Sequence, residues 1–235
     1  MAQTLSAAAS PPTLPRRRPL WLRATLTTTL AAAIIAGLLW AFGLWPRSPM
    51  DLGRGDNALA AGLLTHWQAG ELVVLVRHAE RCDRSGNPCL GPADGITRQG
   101  GETAAAVGQA LKSLGMGHAD VLASPLTRTT QTALYMVDRT VPAPQWLADC
   151  DASLLANVIA HKVPQRNLVA VTHSGCIGHV EKQLGYPRAA SAEYSSALFM
   201  TVDEQGKAAV LGVMNVEKWT QALARLKLAQ PPSSL

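Results

Sequence analysis

The sequence predicts an α/β domain on a largely parallel sheet, preceded by one apolar helix long enough to span a membrane. Three observations lead there. Three short β-rich runs, ELVVLVR (71–77), ADVLAS (119–124) and NLVAVTH (167–173), are each followed by a segment of helical character. The first and third lack polar alternation, the pattern of strands buried on both faces of a sheet. Residues 24–45, ATLTTTLAAAIIAGLLWAFGLW, carry no charge.

The chain has 235 residues, enough for one domain with a proper core. Its formal charge of +5 is misleading. Arg16, Arg17, Arg18 and Arg23 stand in the first 45 residues with no acid beside them, and the rest balances 17 basic against 16 acidic side chains. A nearly neutral body offers no basic face for a phosphate backbone, so nucleic acid is set aside as a partner.

Residues 1–23 are polar, Pro-rich and basic, and read as a disordered cytoplasmic segment. A helix over 24–45 would be roughly 33 Å long, against a hydrocarbon core of about 30 Å. The arginines precede it, which keeps the N-terminus in the cytoplasm and exports the body. A cleaved signal would have a shorter apolar region with a small-residue site close behind. The nearest such site, Ala58-Leu59-Ala60, lies well past the end of the run, so an uncleaved single-pass inner-membrane anchor with a periplasmic body is expected.

Residues 46–70 read as a linker with a short helix, and the domain proper as 71–235. After the first strand a loop runs to Gly95. A helix over 97–114 follows, with Thr97 as N-cap and Gly115 as stop. After the second strand, Pro125 stands where a helix begins. A helix over 175–185 follows the third strand. SALFMTVD (196–203) and AAVLGVMN (208–215) form a hairpin about Gly206, and a last helix runs from Val216 toward Ala229.

The polar residues then fall into place. Arg77-His78 end the first strand, Ser124 to Arg128 follow the second, and His173 ends the third. In an open parallel sheet, ligands bind at the carboxyl ends of the strands. Two arginines and two histidines from separate strands therefore meet at one edge. Singly, each is an ordinary strand end or structural histidine; jointly they are hard to obtain by accident. Cys82, Cys89, Cys150 and Cys176 are an even set within the exported part, with no CxxC, which favours disulfides over a metal site. Four buried free thiols are the alternative.

VRHAE, ASPLTRTTQTA and VTHSG together resemble the signature of the histidine phosphatase superfamily, also called phosphoglycerate-mutase-like, over residues 71–215. The resemblance implies a three-layer sandwich, no cofactor and no metal. It implies His78 as the phosphorylated nucleophile, with Arg77, Arg128 and His173 around the phosphoryl group. RHAERCDRSGNPCLGPADGITRQG further resembles the lipopolysaccharide core heptose(II)-phosphate phosphatases, down to the four cysteine positions. From their places in the chain, Cys82 and Cys89 would close a short rim loop, and Cys150, beside the candidate acid Asp149, and Cys176, three residues past His173, would pair across the site, with the connectivity left open by sequence. Where that group has a glutamate after its third cysteine, this chain has Asp151-Ala152-Ser153.

The chemistry agrees. Guanidinium forks suit the oxygens of a phosphomonoester dianion, a neutral imidazole attacks in line, and a second, protonated imidazole adds charge. A sugar-type leaving oxygen needs a proton. Compact superfamily members place that acid in a Leu-x-Glu stretch, which here reads Leu147-Ala148-Asp149. Asp149 is therefore the first choice, Asp151 the second, and Glu80 is an acid or a supporting group. The expected function is a membrane-anchored phosphomonoesterase acting on lipopolysaccharide core heptose phosphate. The alternatives are a phosphohistidine-type protein phosphatase and an anchored phosphate-binding module without turnover.

Overall fold

Unbroken apolar runs become the inner strands of a five-stranded sheet. The computed structural model describes residues 20–44 and 48–228. It divides into two units, residues 1–45 and 46–235. The first unit holds α1 (Leu20–Leu44); most of the expected basic segment, 1–23, lies outside the described residues. Among the described residues no helix is long and apolar enough to cross a membrane. The side chains of α1 are described over 29–41 and at 43, which is part of the expected 24–45 span.

In the second unit, β1 (Leu72–Arg77) is buried along its length apart from Arg77, which is half-buried, and β3 (Asn167–Thr172) is buried throughout. With β2 (Ala119–Ala123), β4 (Ala197–Val202) and β5 (Ala208–Met214) they form a sheet in the order β2-β3-β1-β4-β5. The first three strands are mutually parallel, but β4 runs antiparallel to β1 and β5 antiparallel to β4. The sheet is therefore mixed rather than largely parallel. The short turn at Gly206 (φ 76°) makes β4 and β5 antiparallel, because strands joined so closely can only pair that way, and β4 carries this hairpin onto β1 in antiparallel register.

Side chains of β1 alternate between two cores. Leu72, Val74 and Val76 pack with α4 (Arg98–Leu114), α5 (Thr127–Val137) and α8 (Trp219–Leu228). Val73 and Leu75 pack with α6 (Leu154–His161) and α7 (Ser174–Gln183). This gives the expected three layers. Thr97 caps α4 by accepting from the Gly100 N–H at 2.9 Å, and Gly115 ends it. The helix after β2 starts at Thr127, two residues beyond Pro125. The eight residues of α6 were not foreseen; they are too few for a periodic pattern to stand out.

Residues 48–70 are no linker. They carry α2 (Asn57–Ala60) and α3 (Leu63–Gln68), and bury Leu52, Leu63 and Trp67 in the same core as β1. Leu52 N–H donates to the Val213 carbonyl at 2.8 Å, and Trp67 Nε1 to the Gly115 carbonyl at 2.8 Å.

Helices α4 and α5 approach so closely that a Cβ on Gly108 would sit 2.0 Å from the Met136 carbonyl oxygen. Backbone cannot yield as a flexible side chain does. Gly108→Ala should therefore destabilise the domain by about 1–3 kcal/mol, the usual cost of overpacking, despite alanine's better helix propensity. Urea unfolding checks this, and a stability gain would refute the close approach.

Candidate active site

The register of the parallel strands builds the site. Arg77 lies opposite Thr172, and the His78 N–H donates to the Thr172 carbonyl at 2.9 Å. His173 follows Thr172 and opens α7, so the two imidazoles meet with ring centroids 5.4 Å apart. Ser124 N–H donates to the Val171 carbonyl at 2.8 Å, which brings the end of β2 alongside. Arg128 stands on the first turn of α5. Thr132 Oγ, one turn later, donates to the Arg128 carbonyl at 2.6 Å and accepts from the Ala79 N–H at 2.9 Å.

His78 is 4% exposed, and its Nδ1 lies 2.8 Å from the Ala79 carbonyl. A carbonyl only accepts, so Nδ1 carries the hydrogen and Nε2 keeps its lone pair. His173 Nε2 lies 2.9 Å from Ser124 Oγ. Burial first, then the neighbouring His173, Arg128 and Arg77, lower the His78 pKa to about 3, against the raising effect of the Ala79 bond. Burial, then Arg128, Arg81 and Arg77, lower that of His173 to about 4. The second imidazole is therefore neutral near pH 7, contrary to the expectation of a protonated one. Two arginines already occupy the neighbourhood, and a further buried cation is unfavourable there.

Arg77 Nε, Arg128 Nε and His173 Nδ1 are buried, with no hydrogen-bond partner among the described residues. Buried donors are seldom left unpaired, and these belong to the residue types that hold a phosphoryl group. Arg77 is itself held in place. Its NH1 donates to the Ala192 carbonyl, and its guanidinium stacks on Tyr194, 3.9 Å from the ring centroid. Tyr194 also lies 5.7 Å from the His78 ring. Sequence reasoning missed Tyr194 and Ala192; the loop before β4 carries no pattern that would single them out. The role of Ser124 was missed as well, although it sits within the quoted motif.

The acid candidates fare differently. Glu80 accepts from Ser85, Asn87 and Thr97, which holds its carboxyl below the usual range and makes it the centre of the rim loop. Asp151 Oδ1 accepts from Ser153 N–H and Oγ at the start of α6, which lowers its pKa too. Both therefore act as structural acceptors. Asp149 is exposed and its carboxylate has no partner among the described residues. Disulfides join Cys82 to Cys89 and Cys150 to Cys176. Among the described residues, no group of His, Cys, Asp and Glu side chains is placed to hold a metal ion. A cavity of about 800 Å³, lined by Glu71, Lys162 and Gln165 among others, lies at the opposite ends of the strands and takes no part here.

A profile described as the histidine phosphatase superfamily (branch 1) matches residues 73–147. The lipopolysaccharide core heptose(II)-phosphate phosphatase of Salmonella typhi is 36% identical over 155 residues, spanning 65% of this chain and 74% of that protein. The chain belongs to the histidine phosphatase superfamily. It is a phosphatase. The protein of the same name from Salmonella newport (strain SL254) is 33% identical over 160 residues, spanning 67% and 77%. A solved structure of the protein histidine phosphatase SixA complexed with tungstate is 20% identical, with a TM-score of 0.51 over 62% of this chain and 97% of that one. That likeness shows the fold. This histidine phosphatase thus has the fold its strand-end motifs implied.

Two measurements probe the site. In the fold His78 and His173 take a proton only near pH 3–4, against about 6.5 in the unfolded chain. The stability they contribute is thus complete above pH 6.5 and falls as pH drops toward 4. Long-range ¹H–¹⁵N spectra should show neither ring titrating between pH 5 and 8; an inflection near 6.5 in either would refute the neutral pair. Tyr194→Ala should raise KM by about 2–30-fold with a smaller change in kcat, matching the usual size of a cation–π contact, while Tyr194→Phe should stay near wild type. An unchanged KM in the alanine variant would mean the stack does not position Arg77.

Proposed function

We propose that this protein hydrolyses a phosphomonoester of the lipopolysaccharide core heptose through a phosphohistidine at His78. The observation that carries the reading is the convergence, on an N–H-anchored sheet edge, of a lone-pair-bearing His78 Nε2 with unpartnered buried nitrogens of Arg77, Arg128 and His173. His78 Nε2 forms a bond to phosphorus as the bond to the leaving oxygen breaks. Asp149 gives that oxygen a proton. Water then attacks the phosphohistidine and gives a proton back to Asp149 as the P–N bond breaks, leaving a neutral imidazole and inorganic phosphate. The transferred group is loosely bonded at the transition state, so the arginines act by position and charge. Bound dianion also offsets the arginine charge around His173, which favours a proton on it in the complex. The substrate follows the names of the relatives at 33–36% identity.

The anchor belongs to the same proposal. Leu30, Ile34, Ile35, Leu38, Leu39 and Trp40 on α1 are exposed, an arrangement that lipid tolerates better than water. The basic residues lie on its N-terminal side, and both disulfides belong to the other unit, which suits an oxidising compartment. The body then works in the periplasm, at the surface of the inner membrane.

The test is chemical. Full-length protein quenched in alkali after exposure to labelled substrate should carry a base-stable, acid-labile phosphate, and His78→Ala should lose both the label and turnover. Asp149→Asn should cut sugar phosphate hydrolysis by about 10²–10⁴-fold, the usual general-acid contribution, yet barely change nitrophenyl phosphate hydrolysis. Substantial activity in His78→Ala would sink the mechanism. Release of phosphate from a phosphohistidine protein, but not from lipopolysaccharide, would replace the substrate.

A further inference from the structure

Behind the loop that holds Arg77 lies a second cavity of about 200 Å³. At roughly 30 Å³ per water, that is space for about six waters or one small organic group. The loop itself forms one wall, through Ala190 to Glu193, and α7 forms another through Ile177 and Glu181. The chain entering the domain closes the floor with Pro49 and Asp51.

The lining is acidic. Glu181, Asp51 and Glu193 face the space from three different segments, and no lysine, arginine or histidine lines it. Asp51 Oδ1 already accepts from the Gly53 N–H at 2.9 Å, and Glu193 reaches solvent. Glu181 makes no such bond, and what little of it is exposed opens into this cavity. It is 3% exposed, and its carboxyl has no hydrogen-bond or ionic partner among the described residues. Burial alone pushes its pKa up to about 7. A carboxyl buried without a partner is costly, and the function assigned to this fold makes no use of it.

A cation would satisfy this carboxyl, and the lining narrows its kind. Among the described residues these carboxylates do not gather into a cluster fit for a metal ion. A small organic cation can instead point its N–H donors at Glu181 and lay its carbons against Ile177 and Leu198. We propose that this cavity binds a small primary ammonium group, and that its occupant acts on the phosphoryl pocket through the Ala192 carbonyl. Ala192 lines the cavity on one side and accepts from Arg77 on the other, so a ligand that shifts it shifts the guanidinium. The coupling clause rests on the reading of Arg77 as a phosphate ligand; the binding clause does not.

Ethanolamine is the probe and ethylene glycol its neutral counterpart, each titrated into ¹⁵N-labelled full-length protein and followed at the amides of residues 181 and 190–193. Ethanolamine should bind and ethylene glycol should not. Because Glu181 must be ionised to receive the cation, affinity should rise about tenfold from pH 6 to pH 8. Glu181→Gln should weaken binding by roughly tenfold or more and flatten that dependence. Should that variant fail to fold, Ser191→Lys, which tethers an ammonium at the rim, should block added ethanolamine. Equal binding of both probes, a flat pH profile in the wild type, or full affinity in Glu181→Gln would overturn the site. Saturating ethanolamine should change KM for nitrophenyl phosphate; an unchanged KM would overturn the coupling. The spectra report on the cavity without turnover, so loss of activity bears on the phosphatase reading alone.

Discussion

The parallel pairing of β1 with β3 is the constraint on which the site depends. Setting Arg77 opposite Thr172 puts the next residue of each strand, His78 and His173, side by side. A slip of one residue would point every β1 side chain at the opposite core, so the hydrophobic layers that flank the sheet also enforce the catalytic alignment. Val74 and Val76 serve one layer, Val73 and Leu75 the other. Packing and chemistry are therefore read from the same six residues. That is how so small a domain can place its nucleophile on a rigid strand end.

Electrostatics then decide protonation. A buried imidazole between two guanidiniums gives up its proton well above the acidity at which a free one would hold it, and this keeps the nucleophile available. The arginines bear their own cost of burial, which lowers the pKa of both without discharging them. An arriving dianion meets two fixed cations and relieves that burial. Attraction is therefore greatest for the doubly charged ester, and weaker for anything carrying less charge.

Much of this was legible in the chain. Strand ends are marked by abrupt change from apolar to charged residues, and VVLVRHAE makes that change within a single step. The caps at Thr97 and Gly115 were legible for the same local reason. What escaped was set by distance. The hairpin of β4 and β5 was legible, but its antiparallel attachment to β1 follows from which neighbour β4 chooses, and a run such as ALFMTV says nothing about that. Tyr194 reaches Arg77 across 117 positions of sequence, in a loop whose composition is unremarkable. Glu80 and Asp151 looked like candidate acids because sequence displays a carboxyl but hides the donors folded around it.

Those donors at Glu80 bear on how the rim loop comes to be. Its carboxylate gathers Ser85, Asn87 and Thr97, while the Cys82 N–H reaches the Gly95 carbonyl and the Leu90 N–H the Ile96 carbonyl. The same short stretch is also closed covalently by Cys82 and Cys89. Two closures on one loop are partly redundant. Once the polar closure has formed, the two thiols are neighbours at a high effective concentration, and joining them costs little further chain entropy. The polar core of the loop can thus act as a template on which oxidation is a finishing step, with the sulfur bond recording a shape that hydrogen bonds have already chosen.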